Sequence, residues 1–293
     1  MSVGIKLLVL GSNGFIGKNA VEYYSTKGYE VYSPKRHELN LLDTCAVEKY
    51  LANLYPDVVL MSAVNINSLN ENLILYFNLA RCSHLYGRMI TIGSGAEYDM
   101  KNYEPMMSEE YFGKHIPSDT YGLSKFVISN DVEKFSNNIV NLRVFGIFGK
   151  YEDYSRRFIS NNICRILSGL EVSINQDMFF DYLYVDDFLL AAEIFFKSEF
   201  VYRNYNICSG YSISLFKLAE IINEVGNTDS AVFVKQEGSR GEYSGNNSRY
   251  VSEFGPLEIT PFKDSISNLY KWYEKHPQKN QICQKIIEME QLK

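Results

Sequence analysis

The chain has 293 residues, of which 46% are hydrophobic and 22% charged, and its formal net charge is -6. This composition is typical of a soluble globular protein with one large or two modest domains. The acidic balance argues against nucleic acid and anionic membranes as partners. The five cysteines form no Cys-x-x-Cys pair and accompany only four histidines, so neither a disulfide framework nor a metal site is expected.

The first half of the chain alternates short apolar runs with segments of helical period. Strands are predicted at IKLLVLG, YEVYSP, DVVLMSAV, RMITIGSG and NIVNLRVFG, and helices at FIGKNAVEYYSTKG, AVEKYLANLY, NENLILYFNLARCSHLYG and DTYGLSKFVISNDVEKF. Such units predict an α/β protein with a doubly wound, parallel Rossmann sheet. The opening run is too short to span a membrane and shows no signal-peptide cleavage site, so a cytoplasmic location is expected.

After Gly149 the alternation is less regular. Helices are predicted at RFISNNICRILSG, DDFLLAAEIFFKS and SLFKLAEIINEVG, strands at FFDYLYV and RNYNICS, and a last helix from Asp264 to about Lys275. A Gly/Ser/Asn-rich loop, EGSRGEYSGNNSR, precedes this last helix. These elements predict a smaller C-terminal α/β lobe that binds the substrate.

One late strand-helix unit is expected to return to the main sheet. The predicted Rossmann domain therefore comprises residues 1–149 plus about 176–198. The predicted substrate lobe comprises residues 150–175 plus 199–293, and the segment after Pro277 is left unassigned.

A glycine-rich turn follows the first predicted strand. In LLVLGSNGFIG, Gly11, Gly14 and Gly17 are spaced three apart, between a strand and a helix. Glycines there permit a tight turn, close approach to a pyrophosphate and close helix packing, while the helix N-terminus attracts the phosphates. An ordinary strand-to-helix turn is the alternative. Further predicted cofactor contacts are Ser12, Asn13, Phe15, Ile16 and Ala63.

The end of the second strand bears on the choice of cofactor. An NAD site usually carries an acidic residue there for the ribose 2′-hydroxyl, whereas this chain has Lys35 and Arg36 in YEVYSPKRHELNLLD. Either cation could bind a 2′-phosphate, so NADP(H) is predicted in preference to NAD(H). A solvated basic loop is the alternative. Asp43 is a candidate for the adenine edge or, equally, a turn or cap residue.

Two Tyr-x-x-x-Lys pairs occur in the chain, Tyr23 with Lys27 and Tyr121 with Lys125. Residues four apart share one face of a helix, so each pair could place a phenol beside an amine. Because the chain has 23 tyrosines, this spacing also arises by chance and does not by itself identify a catalytic pair.

Motifs along nearly the whole chain identify a family. GSNGFIG, TIGSGAEY, YGLSK, RVFGIFG, FDYLYVDD and YNICSGYSISLFKLAEII occur in this order. Together they resemble the extended short-chain dehydrogenase/reductase family of NAD(P)-dependent nucleotide-sugar epimerases and dehydratases. The resemblance matches Tyr121 and Lys125 to the family's catalytic pair, and the other pair is then accidental. Ser94, four residues before Tyr98, matches the family's catalytic Ser/Thr.

The three matched residues suit hydride transfer to a ketone. Negative charge develops on the carbonyl oxygen, and Tyr121 is expected to deliver a proton to it. Lys125 is expected to lower the pKa of this phenol and, by resemblance, to bind the nicotinamide ribose. Ser94 is expected to hydrogen-bond to the same oxygen. Taken singly, they could instead be a core tyrosine, a solvated lysine and a loop serine.

Departures from the resembled family narrow the reaction. Gly95 and Ala96 stand where family 4,6-dehydratases carry an Asp-Glu acid and base pair. ELNLLD, ENL and the GSG turn resemble the GDP-fucose synthase branch, which places an epimerising cysteine at the position of Ala96. Gly146 replaces the substrate-side asparagine of the family's R-x-F-N motif, so one expected contact is missing.

Arg240 is the candidate for the nucleotide-sugar partner. It matches the family's R-x-G arginine, which contacts the substrate pyrophosphate, a task that suits a bidentate guanidinium. A charged residue in a flexible loop is the alternative. Asn72, Asp186 and Asp187 are interpreted as structural, the aspartates as helix caps. A homodimer is implied by the resemblance alone.

The sequence therefore predicts an NADPH-dependent reductase of a nucleotide-linked 4-keto-6-deoxy sugar, for surface polysaccharide biosynthesis. A nucleotide-sugar 4-epimerase with tightly held NAD is one alternative, since it uses the same three catalytic residues. A relative that binds or senses NADP without turnover is another. The intact Ser94, Tyr121 and Lys125 disfavour this last alternative.

Overall fold

The computed structural model describes residues 4–135 and 138–292. Its strands are β1 Lys6–Leu10, β2 Glu30–Tyr32, β3 Val58–Met61, β4 Arg88–Ser94, β5 Ile139–Val144, β6 Gly146–Phe148, β7 Ser173–Phe180, β8 Tyr182–Tyr184, β9 Asn204–Asn206, β10 Ile213–Ser214 and β11 Phe233–Tyr243. Its helices are α1 Phe15–Thr26, α2 Thr44–Leu54, α3 Leu69–Ala80, α4 Thr120–Phe135, α5 Phe158–Leu167, α6 Val185–Ile194, α7 Leu215–Val225, α8 Ser248–Phe254, α9 Phe262–Glu274 and α10 Lys279–Gln291.

The main sheet is parallel throughout. Within the described ranges its strand order is β2-β1-β3-β4-β5-β9. The chain crosses from β1 to β2 on one side and returns to β3 on the other, so the direction of winding reverses at β1. Ligands of doubly wound sheets bind at the carboxyl ends of strands at this reversal. The predicted Rossmann-like fold class is confirmed.

Alternate residues of the central strands face two separate hydrophobic cores. In β1, Leu7 and Val9 contribute to one core, whereas Leu8 and Leu10 contribute to the other. Helices α1 and α6 cover the first face, and α2, α3 and α4 cover the second. Burial on both faces explains why these strands are continuous apolar runs rather than alternating ones.

Strand membership after β5 differs from the prediction. The predicted strand FFDYLYV is divided at Asp181 between β7 and β8, and β7 joins the small sheet β10-β7-β11 while β8 pairs with β6. The strand that returns to the main sheet is β9, which the prediction placed in the substrate lobe. Long-range side-chain pairing explains this placement, since Asn141 Nδ2 donates to Asn204 Oδ1 at 3.0 Å. The division into two lobes otherwise stays a prediction.

The segment after Pro277 forms α10, which packs on α5. Ile282 and Ile286 are buried there, and Arg165 pairs with Glu290 at 2.6 Å. Each helix in the described part of the chain is too short or too polar to cross a membrane.

Candidate active site

A cavity of about 1360 Å³ opens at the carboxyl ends of β1, β3 and β4. It brings together most residues that the sequence analysis selected. Those that line it are Gly11, Ser12, Asn13, Gly14, Phe15, Ile16, Arg36, Ala63, Ser94, Tyr121, Lys125 and Arg240. Gly17, Lys35 and Asp43 lie outside this lining.

The glycine turn has the geometry of a phosphate cradle. Gly11 has φ +85°, and a Cβ atom there would lie 2.5 Å from the main-chain nitrogen of Ala63. A Cβ on Gly17 would lie 2.2 Å from the carbonyl oxygen of Gly11, so helix and turn touch backbone to backbone. Gly14 is the N-cap of α1 and has no side chain to cap the first amides, which leaves them for an anion. These residues fit a dinucleotide.

The loop after β2 presents two cations at the rim of the cavity. Lys35 and Arg36 are exposed, and Lys35 Nζ donates to Asn13 Oδ1 at 3.1 Å. Asp43 is exposed and accepts hydrogen bonds from the main-chain nitrogens of Cys45 and Ala46 at 3.0 Å. It is therefore the N-cap of α2, which is the alternative interpretation. Both bonds end on Oδ1, so a contact of Asp43 with the adenine edge stays a prediction.

The three candidate catalytic residues lie together in the cavity. Ser94 ends β4, while Tyr121 and Lys125 lie one turn apart on α4. The Ser94 hydroxyl interacts with the Tyr121 phenol. Lys125 Nζ lies 5.9 Å from the centroid of the Tyr121 ring and donates to the carbonyl oxygen of Ile92 at 2.6 Å.

Burial controls the ionisation of this pair. It is the largest influence on Tyr121 and raises the pKa of the phenol above its ordinary value, against the contact with Ser94. The lowering of this pKa that we expect from Lys125 stays a prediction, and in the structure the ammonium group donates to the main chain of β4. Burial lowers the pKa of Lys125 to about 8, although the charge of Glu97 opposes this.

The missing side chain of Gly95 makes room for a tyrosine from β11. A Cβ atom on Gly95 would lie 2.5 Å from the hydroxyl oxygen of Tyr243. Tyr243 lines the cavity, and its hydroxyl also interacts with Ser94. Sequence reasoning missed Tyr243, since its position next to Ser94 depends on the small sheet.

The glycine at position 146 is explained by its neighbours. A Cβ atom on Gly146 would lie 2.7 Å from the carbonyl oxygen of Asp181 and 2.8 Å from a ring carbon of Tyr182. Tyr182 also lines the cavity, so its ring occupies the side where the family's asparagine is expected. The pairing of β6 with β8, which sequence analysis did not predict, produces this contact.

The structure confirms a structural role for Asn72 but not the helix-capping role predicted for the aspartates at the start of α6. Asn72 anchors the loop before α3, since it accepts from the nitrogen of Asn65 at 2.8 Å and donates to Ser124 Oγ at 3.0 Å. Neither Asp186 nor Asp187 is the N-cap of α6, since both lie inside its first turn and the N-cap is Tyr184. Asp187 has another role. It binds the main-chain nitrogen and hydroxyl of Thr260 at 2.9 and 2.6 Å, which connects α6 to the segment before α9.

Comparisons with known proteins agree with this geometry. The sequence model described as the NAD dependent epimerase/dehydratase family matches residues 7–208. A GDP-L-colitose synthase of Yersinia pseudotuberculosis is 22% identical over 306 residues, which cover 92% of this chain and 98% of that protein.

Solved structures share the fold over most of the chain. A GDP-mannoheptose C4 reductase from Campylobacter jejuni with NADP bound matches with a TM-score of 0.81 at 20% identity, covering 94% of this chain and 100% of that one. A UDP-glucose 4-epimerase from Thermotoga maritima matches with a TM-score of 0.78 at 20% identity, covering 92% and 99%. The chain belongs to the NAD dependent epimerase/dehydratase family and is an NAD(P)-dependent oxidoreductase of the short-chain dehydrogenase/reductase type.

Proposed function

We propose that the protein uses NADPH to reduce the 4-keto group of a nucleotide-linked 4-keto-6-deoxy sugar, in the synthesis of a surface polysaccharide. One observation carries this proposal: the hydroxyls of Ser94 and Tyr121 meet in the cavity that also contains the glycine turn. The similar proteins described as GDP-L-colitose synthase and GDP-mannoheptose C4 reductase support it.

The residues divide the work of reduction between them. The nicotinamide cofactor supplies a hydride to the carbonyl carbon when bound. Tyr121, whose raised pKa keeps the phenol neutral, donates its proton to the carbonyl oxygen. Ser94 donates a hydrogen bond to the same oxygen and stabilises its developing charge. Lys125 places a positive charge beside the ring of Tyr121.

The residues that flank Ser94 argue for reduction without a further step. Elimination of water needs an acid and a base, and epimerisation beside the ketone needs a group that removes a carbon-bound proton. Gly95 and Ala96 offer neither function at the two positions after Ser94. Hydride transfer with a single protonation is therefore the reaction that these side chains support best.

We infer a preference for NADPH from Lys35 and Arg36, which lie at the rim beside the turn. Arg36→Ala should weaken NADPH binding about tenfold, the usual worth of one charge-assisted hydrogen bond. The affinity for NADH, which has no 2′-phosphate, should stay the same and serves as the internal control. Equal weakening of both would contradict the inference. Calorimetric titration measures both constants.

Arg240 is proposed to bind the pyrophosphate of the substrate. It lies on β11, is exposed, and lines the cavity on the side of the small sheet. Both similar proteins named above act on GDP-linked sugars, so GDP-linked 4-keto sugars are the first substrates to test.

The proposed reaction is tested by NADPH consumption at 340 nm with a series of nucleotide-linked 4-keto sugars. At least one sugar should be reduced, and Tyr121→Phe should lower kcat by about 100-fold or more without loss of NADPH binding. Tyr23→Phe, in the accidental pair, is the matched control and should keep parental rates. Purification with tightly bound NAD, and no consumption of NADPH, would instead indicate a 4-epimerase. NADPH binding without turnover of any sugar would indicate a sensing protein.

We also propose a homodimer. Helices α3 and α4 pack on each other, and α3 exposes Ile74 and Phe77 on one face, 44% and 41% accessible. Exposed apolar side chains three apart on a helix suit a second copy of the same surface.

A further inference from the structure

A charged pair lies directly behind the catalytic serine. Glu97 is 0% exposed and Arg143 is 1% exposed, and the guanidinium Nε donates to Glu97 Oε2. Removing two charges from water is costly, and a buried ion pair is weak evidence for stability because apolar residues often replace it without loss. A contribution to stability therefore does not by itself explain this pair.

Glu97 holds the main chain of Ser94. Its Oε1 atom accepts from the Ser94 nitrogen at 2.9 Å, while the Ser94 hydroxyl accepts from the nitrogen of Ala96 at 3.2 Å. This reciprocal capping box fixes the short 3-10 helix Gly95–Tyr98 at the end of β4. Loss of the carboxylate oxygen would free the segment that aims the Ser94 hydroxyl into the cavity.

Arg143 extends the same arrangement to α4. Its NH2 group donates to Ser129 Oγ, one turn after Lys125, and its NH1 group donates to the Tyr98 hydroxyl at 3.3 Å. Asn141 Nδ2 also donates to Glu97, at 3.3 Å to Oε1. The pair therefore connects β4 and β5 with the helix that carries Tyr121 and Lys125.

The charge of Glu97 reaches the catalytic residues. A Cβ atom on Gly93 would lie 2.5 Å from Glu97 Oε1, and Lys125 Nζ donates to the carbonyl oxygen of the preceding residue, Ile92, at 2.6 Å. Burial lowers the pKa of Lys125 and raises that of Tyr121. The charge of Glu97 opposes the first shift and adds to the second, so it favours the protonated form of each residue. Other ionisable groups around the pair come from several elements. They are Tyr98 beside the pair, Glu109 from the 3-10 helix Glu109–Tyr111, Tyr243 from β11, and Asp119 and Arg157 near Tyr121.

We propose that Glu97 is a positioning residue, which fixes Ser94 through the main chain and provides a buried negative charge near the main-chain segment that Lys125 contacts. The proposal rests on the reduction proposed above and adds to it a second layer of residues behind the serine. A purely structural role for Glu97 predicts lower stability in its variants but the same pH dependence of activity.

The test compares Glu97→Gln, Glu97→Asp and the control Glu109→Gln with the parent protein. Glu109 is also buried and accepts from the nitrogen of Asn206 at 2.9 Å. Glu97→Gln should lower kcat about tenfold with little change in KM, and move the basic limb of the pH profile down by roughly one unit. Glu97→Asp keeps the charge but not the reach, so only kcat should fall. In Glu109→Gln, the basic limb of the pH profile should lie at the same pH as in the parent protein.

A second measurement needs no substrate. NMR of protein labelled with ¹³C at lysine Cε follows the titration of Lys125, with Lys125→Arg to assign its signal. The pH at the midpoint of the Lys125 titration should be lower in Glu97→Gln than in the parent protein, and it should be unchanged in Glu97→Asp. A parental midpoint in Glu97→Gln would overturn the role of the charge. If Glu97→Gln does not fold, parental kcat in Glu97→Asp would overturn the positioning of Ser94.

The two measurements separate this inference from the proposed function. If the parent protein reduces no keto sugar, the proposed reaction fails, and the NMR titration still decides the effect of Glu97 on Lys125. If the parent is active and Glu97→Gln keeps both parental kcat and the parental limb, the inference about Glu97 fails alone.

Discussion

Burial shifts the ionisation of Tyr121 and Lys125 in opposite directions, because it disfavours the charged form of each residue. The phenol stays neutral and keeps the proton that it is proposed to donate. The amine, with its pKa lowered to about 8, loses its proton just above neutral pH. At the scale of single residues, we therefore expect Lys125 to set the upper pH limit of activity.

We expect kcat/KM for reduction to fall as the pH rises through about 8, as Lys125 loses its positive charge. The measurement is a pH profile from 6 to 10 with saturating NADPH. Lys125→Arg should be slower at neutral pH but should lack this limb, since a guanidinium stays charged in this range. A parental profile that is flat to pH 9.5 would contradict the assignment.

At the scale of a single element, helix α5 begins beside a buried carboxyl group. Glu152 is 5% exposed, and Ser160 Oγ in the first turn donates to it at 2.5 Å. Burial raises its pKa to about 8, although the hydrogen bond from Ser160 and the charge of Arg157 oppose this. The folded protein therefore keeps a proton on Glu152 at pH values where the unfolded chain has lost it.

This difference makes the stability of the protein depend on pH. Because the folded-state pKa is raised, Glu152 lowers the free energy of unfolding as the pH rises from about 4.5 to about 8. Glu152→Gln should remove this loss, so its stability relative to the parent should improve by about 4 kcal/mol between pH 5 and pH 9. Urea unfolding at both pH values measures the change.

The matched control for this helix is Ile159→Val, next to Ser160. Ile159 is 1% exposed, and loss of one methylene group should cost about 1 kcal/mol at pH 5 and pH 9 alike. A relative stability of Glu152→Gln that does not depend on pH would show that Glu152 is ionised in the folded protein.

At the scale of the whole molecule, the prediction concerns the proposed homodimer. The proposed homodimer buries the exposed face of α3 at Ile74 and Phe77. A double substitution, Ile74→Glu with Phe77→Glu, should place four like charges in a two-fold interface and give a monomer. Light scattering after size-exclusion chromatography measures the mass. Val201→Glu, at a residue 75% exposed outside α3, should leave the dimer intact, and a dimeric double variant would exclude this face as the interface.

The sequence by itself determined the features that depend on neighbours in the chain. The glycine turn before α1, the spacing of Tyr121 and Lys125 on one helix, and the parallel sheet all follow from local periodicity and turn chemistry. Each of these features depends on residues only a few positions apart, so it can be recognised in a single sequence. The N-cap at Asp43 was equally visible as an alternative, because capping involves only the next three residues.

Only the tertiary structure decided which distant segments meet. The place of β9 in the main sheet, the Tyr243 hydroxyl at Ser94 and the pairing of Glu97 with Arg143 join residues 46 to more than 100 positions apart. Spacing along the chain carries no record of such contacts, since they form when separate elements pack. The same packing buries Lys125 and half-buries Tyr121, and burial rather than their spacing is the largest cause of their pKa shifts.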